Sequence, residues 1–583
     1  MEMLTGPCRS SIRPAREPKG SWGGHGRGSQ AAVLLLLLAL PGCHEEGPRP
    51  RPDSTDSRGE TRREAAGTPA EKSIAIYVGR HLTEDGSVLL GGFGHEPSSH
   101  WLEITPAREF PEGTMLEVGV TSEARFPGER FRIPQVGRTA RFVTSNYSEF
   151  AGFPAPLTNG GLNEHHVAAR TVWSPSRQEL RDMTPNPQKG LSYSDLARIV
   201  MERATTARDA ARLVGELVES HGYATYGGNS FLFADPEEGW VVITYAGGQR
   251  LWAAERLGPD QVRVLYPGYI RAFPLSFRED PGYMGSPHLV QFAVDQGWFD
   301  PEGLEFMDLH EVYGRPFPSQ PGEEDTLFRY PPDREKELMD LVPLTLADMM
   351  ALVRDPRWSD DTAGYGQVAH LQKDRPRELA ALWVALAAGV STPMVPVYVA
   401  SSDVPPEYKQ HRYMTKEADA TFLDPAFAPL EATRNAYRTF KRLFYYTCIR
   451  PETFLKSVTG ELEAFESARM AEIPSVEREA IQRFRDGDRE GAVAHLTGHV
   501  ETWLLDALRL GEALVDAVER ETRRQFSIPM PDRAVPEGAT WRPESGSMAK
   551  PAEVDRLHCY QPGLDRYPRR HGSYRHLVGR LVQ

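Results

Sequence analysis

Apolar positions follow two rhythms along this chain. From Ser73 to about Leu265, short β-type runs alternate with helical stretches. Residues 74–78 and 88–90 read as strands joined by a turn around Glu84-Asp85-Gly86, because branched apolar runs bounded by Asp and Gly mark a hairpin. Two helices follow. Ser194 is placed to cap the first, with Leu196, Ile199 and Val200 on one face. Thr206 is placed to cap the second, with Asp209 three residues on as a carboxylate variant of the capping box. Ala210, Leu213, Val214, Leu217 and Val218 recur at helical spacing, and His221-Gly222 supplies the stop. Segments 231–234, 240–245, 251–255 and 262–265 then read as a meander, with residues 235–239 turning its first corner.

Runs rich in Val, Leu, Trp and Tyr return at 366–371, 381–386 and 394–399. They are expected to complete one sheet system around a loop-rich insertion near 270–345, which shows no clear period. Beyond Glu431 the spacing becomes i, i+3, i+4 over 433–446, 454–470, 480–484 and 492–518, which predicts helices. The expected organisation is a sheet-and-helix domain over 73–430, a helical region over 431–525 and a poorly ordered basic tail over 526–583. That tail carries Arg569, Arg570, His571, Arg575 and Arg580.

Composition adjusts this picture in three places. The 583 residues exceed one ordinary core. The 51 glycines and 48 prolines make the chain rich in turns, since average usage is about 7% and about 5%. A net charge of −14 argues against a nucleic-acid partner, which needs concentrated positive charge.

At the N-terminus, Arg9, Arg13, Arg16, Lys19 and Arg27 precede an apolar run over 31–40. That run suits a signal-peptide core and is too short to span a bilayer, which takes about 20 residues. Leu40-Pro41-Gly42-Cys43 resembles a lipobox, in which Cys43 is lipidated after cleavage; a plain secretory signal is the simpler alternative. Residues 1–43 are thus expected to be a signal peptide. Residues 44–72, with almost no bulky apolar side chain, are expected to form a disordered tether or propeptide. The protein is expected to be exported, as a cell-envelope lipoprotein or secreted, with membrane contact only through the lipid. Cys448 lies on an apolar helical stretch and reads as a buried thiol, and no disulfide framework is suggested.

Candidate chemistry centres on Ser73. A serine freed at a chain start carries its own general base, because an α-amine titrates near ~8. No Gly-x-Ser-x-Gly elbow and no Gly-Lys-Ser phosphate loop is present. His95-Glu96-Pro97-Ser98-Ser99-His100 superficially resembles a zinc helix, but its histidines are five apart with a proline between, whereas that motif needs i and i+4. No metal and no organic cofactor is implied. Asp85 reads as a hairpin-shaping residue and Glu164 as a partner for loop backbone. An asparagine beside glycine, such as Asn229, is more often a turn residue than a catalytic one; Asn163 is similar.

Three blocks in order resemble one family. Ser73-Ile-Ala-Ile-Tyr-Val-Gly79, Asp85-Gly86-Ser87 and Val88-Leu89-Leu90 match the opening Cys-Thr-Thr-Ile-Leu-Val-Gly, Asp-Gly-Ser and following strand of the dipeptidase A and secernin-related N-terminal-nucleophile peptidases. Gly161-Leu162-Asn163-Glu164-His165-His166-Val167 resembles that family's Gly-x-Asn-Glu-x-Gly-Val. Ala234-Asp235-Pro236-Glu237-Glu238-Gly239-Trp240, preceded by Gly228-Asn229-Ser230, resembles its Ala-Asp-Pro-x-Glu-x-Trp.

The resemblance runs from Ser73 to roughly Ala400. It implies a four-layer αββα sandwich, an acyl-enzyme route and dipeptides or similarly small amides as substrates. Ser73 would be the nucleophile with its α-amine as base. Asn163 and Asn229 are the candidate oxyanion donors, since an amide NH2 donates without changing charge. Two departures stand out. Serine replaces the family's usual cysteine, and the Arg-x-x-Asp that follows Asp-Gly-Ser is replaced by Gly92 and His95. Glu96 is the candidate to replace the lost carboxylate. The alternative is a non-catalytic, surface-anchored binding protein on the same fold.

Overall fold

The run Ile74–Val78 is apolar at all five positions, which suits a strand covered on both faces. The structure is a computed structural model. It describes residues 73–96, 98–148, 153–265, 268–314, 331–360, 362–410 and 434–526, together with Leu557 and Cys559. The expected signal peptide, Cys43 and the 44–72 tether lie outside these residues.

The strands that build the two main sheets begin with β1 (Ile74–Val78), β2 (Val88–His95), β3 (His100–Thr105), β4 (Phe142–Tyr147), β5 (Leu157–Thr158), β6 (Gly160–Asn163) and β7 (Ala168–Trp173), and, after helices α1 (Tyr193–Arg203) and α2 (Ala207–His221), β8 (Asn229–Ala234). Then come β9 (Gly239–Thr244), β10 (Trp252–Leu257), β11 (Val262–Leu265), β12 (Tyr283–Gly285), α3 (Leu346–Val353), β13 (Ala363–Leu371), β14 (Ala381–Ala385) and β15 (Val395–Tyr398). Three helices follow, α4 (Ala436–Ile449), α5 (Pro451–Arg485) and α6 (Arg489–Phe526). One antiparallel sheet has the order β11-β1-β2-β13-β14-β15, and a nine-stranded sheet runs β12-β10-β9-β8-β7-β6-β4-β3 with β5 paired to β4.

Side-chain alternation couples the sheets. Ala75 and Tyr77 of β1 share a core with Leu102, Val143, Leu232 and Ile243 of the larger sheet. Ile74, Ile76 and Val78 face the other way, onto Met349, Met350 and Val353 of α3 and Phe444 of α4. In β8, Leu232 and Ala234 join the shared core. Phe231 and Phe233 pack instead with Ile199, Val214 and Val218 of α1 and α2. The result is a mixed α and β structure in which both faces of the inner strands are buried.

Four expectations change. Ser192, not Ser194, caps α1, in a full capping box with Asp195; Ser194 sits in the first turn and accepts the Thr158 N–H at 2.9 Å. β11 does not continue the meander. It pairs with β1, with Val78 opposite Val262, because the preceding turn is docked there by Gly79 N–H to Gln261 O and His81 N–H to Pro259 O.

The insertion is not only loop. It adds β12 to the edge of the larger sheet and sends Leu289, Met307, Leu309 and Tyr313 into the shared core. Cys448 is not a free thiol. It forms a disulfide with Cys559, with the two Cα atoms 4.4 Å apart, and Cys559 N–H donates to Ser359 O at 3.3 Å. The expected basic tail otherwise lies outside the described residues.

The C-terminal helices pack into the same body. Trp503, Leu504, Ala507 and Leu508 of α6 belong to the shared core. The buried Arg354 donates to Gly389 O and to Glu466 of α5, which also accepts the Met394 N–H at 2.7 Å.

Candidate active site

Pairing of β1 with β2, which sets Ile74 opposite Phe93, brings Ser73 to the end of β2. There the His95 N–H donates to Ser73 Oγ at 3.1 Å. Gly92 is required by this pairing, since a Cβ at that position would collide with Ile74 O. No side chain can project from position 92, so an arginine cannot be housed there.

Just past β2 lies Glu96, only 2% exposed. Its carboxylate meets Arg170 Nη2 at 2.9 Å and His100 Nε2 at 3.1 Å, and also accepts from Asn159 Nδ2. Two glycines make the cradle. A Cβ at Gly94 would strike Glu96 Oε1 and Arg170 Nη2, and one at Gly364 would strike Glu96 Oε2.

Arg170 comes from β7, fully buried, with its guanidinium 4.3 Å from the centre of the Tyr365 ring. Burial lifts the Tyr365 hydroxyl to about 12. Burial also holds His100 below its ordinary value against the opposing pull of Glu96. His100 is therefore neutral at neutral pH, and Arg170 is the cation that balances Glu96. A pair this deep adds little net stability, but removing one partner strands a buried charge.

Beside this pair opens a small pocket. Ser73, His95 and Glu96 line one side, and Thr171, Val172 and Trp173 of β7 with Asn229 of β8 line another. Tyr147, Asn159, Tyr193 and Tyr226 complete it. His95 Nδ1 lies 2.9 Å from Thr362 Oγ1, whose own hydrogen goes to Asp360. A hydroxyl has one hydrogen, so His95 Nδ1 is the donor. The Thr362 carbonyl accepts the Glu96 N–H at 3.0 Å.

Of the residues singled out in the sequence, Ser73, Glu96 and Asn229 meet at this pocket and Asn163 does not. Asn163 Nδ2 donates to Met201 O at 3.2 Å and Ala204 O at 2.8 Å, closing the end of α1. Its Oδ1 accepts the His165 and Val167 N–H groups. With its polar atoms taken up by the fold, Asn163 is withdrawn as an oxyanion donor. Asn229 Nδ2 has longer partners, Tyr226 Oη at 3.1 Å and Val172 O at 3.4 Å, while its Oδ1 accepts from Tyr223.

Asp85 does shape its hairpin through Ser87 N–H and Oγ–H. A hydrogen bond from His370 also holds it below the usual carboxylate range. Glu164 accepts the Arg141 N–H at 3.3 Å. The sequence reading missed Arg170, Asn159 and the tyrosines. Arg170 had a signal: it is the one charge in the run Ala168–Trp173, and arginine is seldom fully buried unless paired.

Residues 148–331 match the model of peptidase family C69. A probable dipeptidase from Salmonella dublin is 34% identical over 143 residues, covering 24% of this chain and 30% of its own length. A probable dipeptidase B from Lactococcus lactis subsp. lactis is 25% identical over 289 residues, 43% of this chain and 60% of that protein. A probable dipeptidase from Latilactobacillus sakei is 21% identical over 241 residues, 41% and 48% respectively. The matched stretches thus span between about a third and three fifths of these relatives. Among solved structures, a mutant of the conjugated bile acid hydrolase from Clostridium perfringens shares 10% identity. The match covers 56% of this chain and 92% of that one, at a TM-score of 0.28.

Proposed function

We propose, from the kinship of this chain with the dipeptidases of peptidase family C69, that it hydrolyses dipeptides or similarly small amides with Ser73 as an N-terminal nucleophile. The observation that carries this reading is the placement of Ser73, directly before the first strand, in a pocket beside a buried Glu96–Arg170 pair. The two facing sheets with helices outside them are read as the four-layer αββα sandwich of such enzymes.

The chemistry follows from the groups present. Hydrolysis of the Lys72–Ser73 bond frees the Ser73 amine. That amine takes the hydroxyl proton as Oγ bonds to the substrate carbonyl carbon. The C–N bond then breaks and the leaving amine departs with the proton. Water, deprotonated by the same amine, attacks the ester, releasing a carboxylic acid and restoring the serine. Asn229 is the oxyanion donor we assign, exchanging its long contact to Val172 O for the developing charge. The ground for a non-catalytic binding protein was the missing arginine and carboxylate, and Arg170 with Glu96 supplies both groups from other positions.

Export and lipidation at Cys43 belong to the same proposal. The Cys448–Cys559 disulfide supports an oxidising compartment. Cleavage before Ser73 would release the enzyme from that anchor.

In the variant Ser73→Ala, dipeptide turnover should fall to background while the thermal melting curve stays unchanged. Mass spectrometry of active wild-type protein should find a chain starting at Ser73. Full turnover by Ser73→Ala, or by material still joined to Lys72, would overturn the reading.

A further inference from the structure

The β1–β2 ladder ends with Ile74 opposite Phe93. Two residues on, the His95 N–H donates to Ser73 Oγ at 3.1 Å. One neighbour holds this main-chain donor in place. His95 Nδ1–H donates to Thr362 Oγ1 at 2.9 Å, and the next N–H, from Glu96, donates to Thr362 O at 3.0 Å. Thr362 thus grips the end of β2 at two points. It is itself tied down: its N–H reaches Asp360 Oδ1 at 2.8 Å, and its Oγ–H donates to the same oxygen. Asp360 is only 1% exposed, and a carboxylate so deeply placed needs such donors to offset its lost water.

Strand pairing explains why Thr362 lies there. Ala363 faces His95 and Gly366 faces Phe93, so three steps along β13 oppose two along β2. The extra residue is a bulge, which bends a strand and re-aims the side chains beside it.

We propose that the His95 N–H is a catalytic donor that lowers the proton affinity of Ser73 Oγ, and that Thr362 and Asp360 are positioning residues that aim it. The inference rests on the hydrolase reading above and names what tunes its nucleophile. A serine hydroxyl has one hydrogen and two lone pairs. The His95 N–H engages one lone pair, which leaves the other to attack and turns the hydroxyl hydrogen away from β2. As the bond from Oγ to the carbonyl carbon forms, the hydroxyl proton passes to the Ser73 amine, and the His95 N–H keeps its own. A hydrogen bond that favours the charged form of the oxygen eases that transfer. Its value depends on aim, because a small displacement of a reacting group costs rate steeply. The imidazole serves as a tether, with its Nδ1–H spent on Thr362.

The test reads Ser73 directly, in the whole protein. A small fluorophosphonate forms an Oγ–P bond and releases fluoride, and mass spectrometry gives the rate at Ser73 beside kcat and KM for Ala-Ala. Thr362→Val keeps the shape and loses the acceptor. Labelling rate and kcat should both fall ~10-fold or more, with KM nearly unchanged. Thr362→Ser restores the hydroxyl and should recover most of both. His95→Asn replaces the ring with an amide whose Nδ2 can still reach Thr362, so much of the rate should remain. His95→Leu should lose as much as Thr362→Val. Melting curves check the folds.

Equal rates in wild type and Thr362→Val would overturn the inference and leave Ser73 a nucleophile. A loss in His95→Asn as deep as in His95→Leu would do the same, because it would make the imidazole a proton carrier. A wild type whose Ser73 is neither labelled nor needed for turnover would remove the hydrolase reading of Ser73, and this inference with it.

Discussion

Glu96 and Arg170 reach each other only because two neighbours lack a side chain. Gly94 and Gly364 clear the volume that the carboxylate occupies, so the substitution Gly364→Ala should displace Glu96 and cut turnover sharply. Substituting Glu96→Gln leaves the Arg170 cation buried without its counter-charge. That should cost ~3–5 kcal/mol in chemical denaturation. Pairing it with Arg170→Met should recover much of the stability and none of the turnover, which separates the structural from the chemical role. No loss of stability in Glu96→Gln would mean that the pair is not charged.

These residues also show where sequence reading reaches and stops. Gly92 announced that the expected arginine was missing, and Glu96 was visible as a nearby carboxylate. Arg170 lies 74 positions further on, and only the pairing of the two sheets joins them. Asn163 looked identical in kind to Asn229. Nothing local revealed that its amide closes the end of α1.

At the scale of elements, period and punctuation located most of the framework. Thr206 caps α2 as its spacing predicted, but the Asp209 carboxylate accepts the Thr205 N–H and closes no capping box; Gly222, at φ 86°, ends the helix. The strands at 363–371, 381–385 and 395–398 do complete the sheet begun by β1 and β2. Partner choice was less legible: β11 has a strand's composition, but its exchange of sheets depends on backbone contacts at Gly79 and His81.

The insertion hid its short helices because they span only five to nine residues, too few to display a period. One of them carries His310, 1% exposed, against the ring of Tyr269 and near Arg271 and Asp308. Burial first, then Arg271, pushes His310 down to about 4. The unfolded chain holds this proton up to about 6.5. The unfolded state therefore binds more protons between those values, and stability falls as pH drops through that window. Urea unfolding at pH 7.5 and 5.0 should show this loss in the wild type. In His310→Gln the loss should be smaller by ~2 kcal/mol. Equal losses in the two proteins would refute the assignment.

For the whole molecule, the sequence placed the sheet-rich body before the helical end but did not show that they share a core through Trp503 and Leu504. Nor could it pair two cysteines 111 residues apart. That disulfide holds Cys559 against Ser359. Three residues on, Thr362 contacts both His95 and Glu96. Replacing Cys559 with serine should lower stability by ~2–5 kcal/mol. It should also reduce dipeptide turnover, and dithiothreitol should reproduce both effects in the wild type while leaving the variant unaffected. A chain still surrounded by glutathione would thus carry a slackened pocket wall. On the export proposed above, oxidation would finish the catalyst at its destination, and newly made copies would travel in a subdued form among the small peptides of the cell that built them.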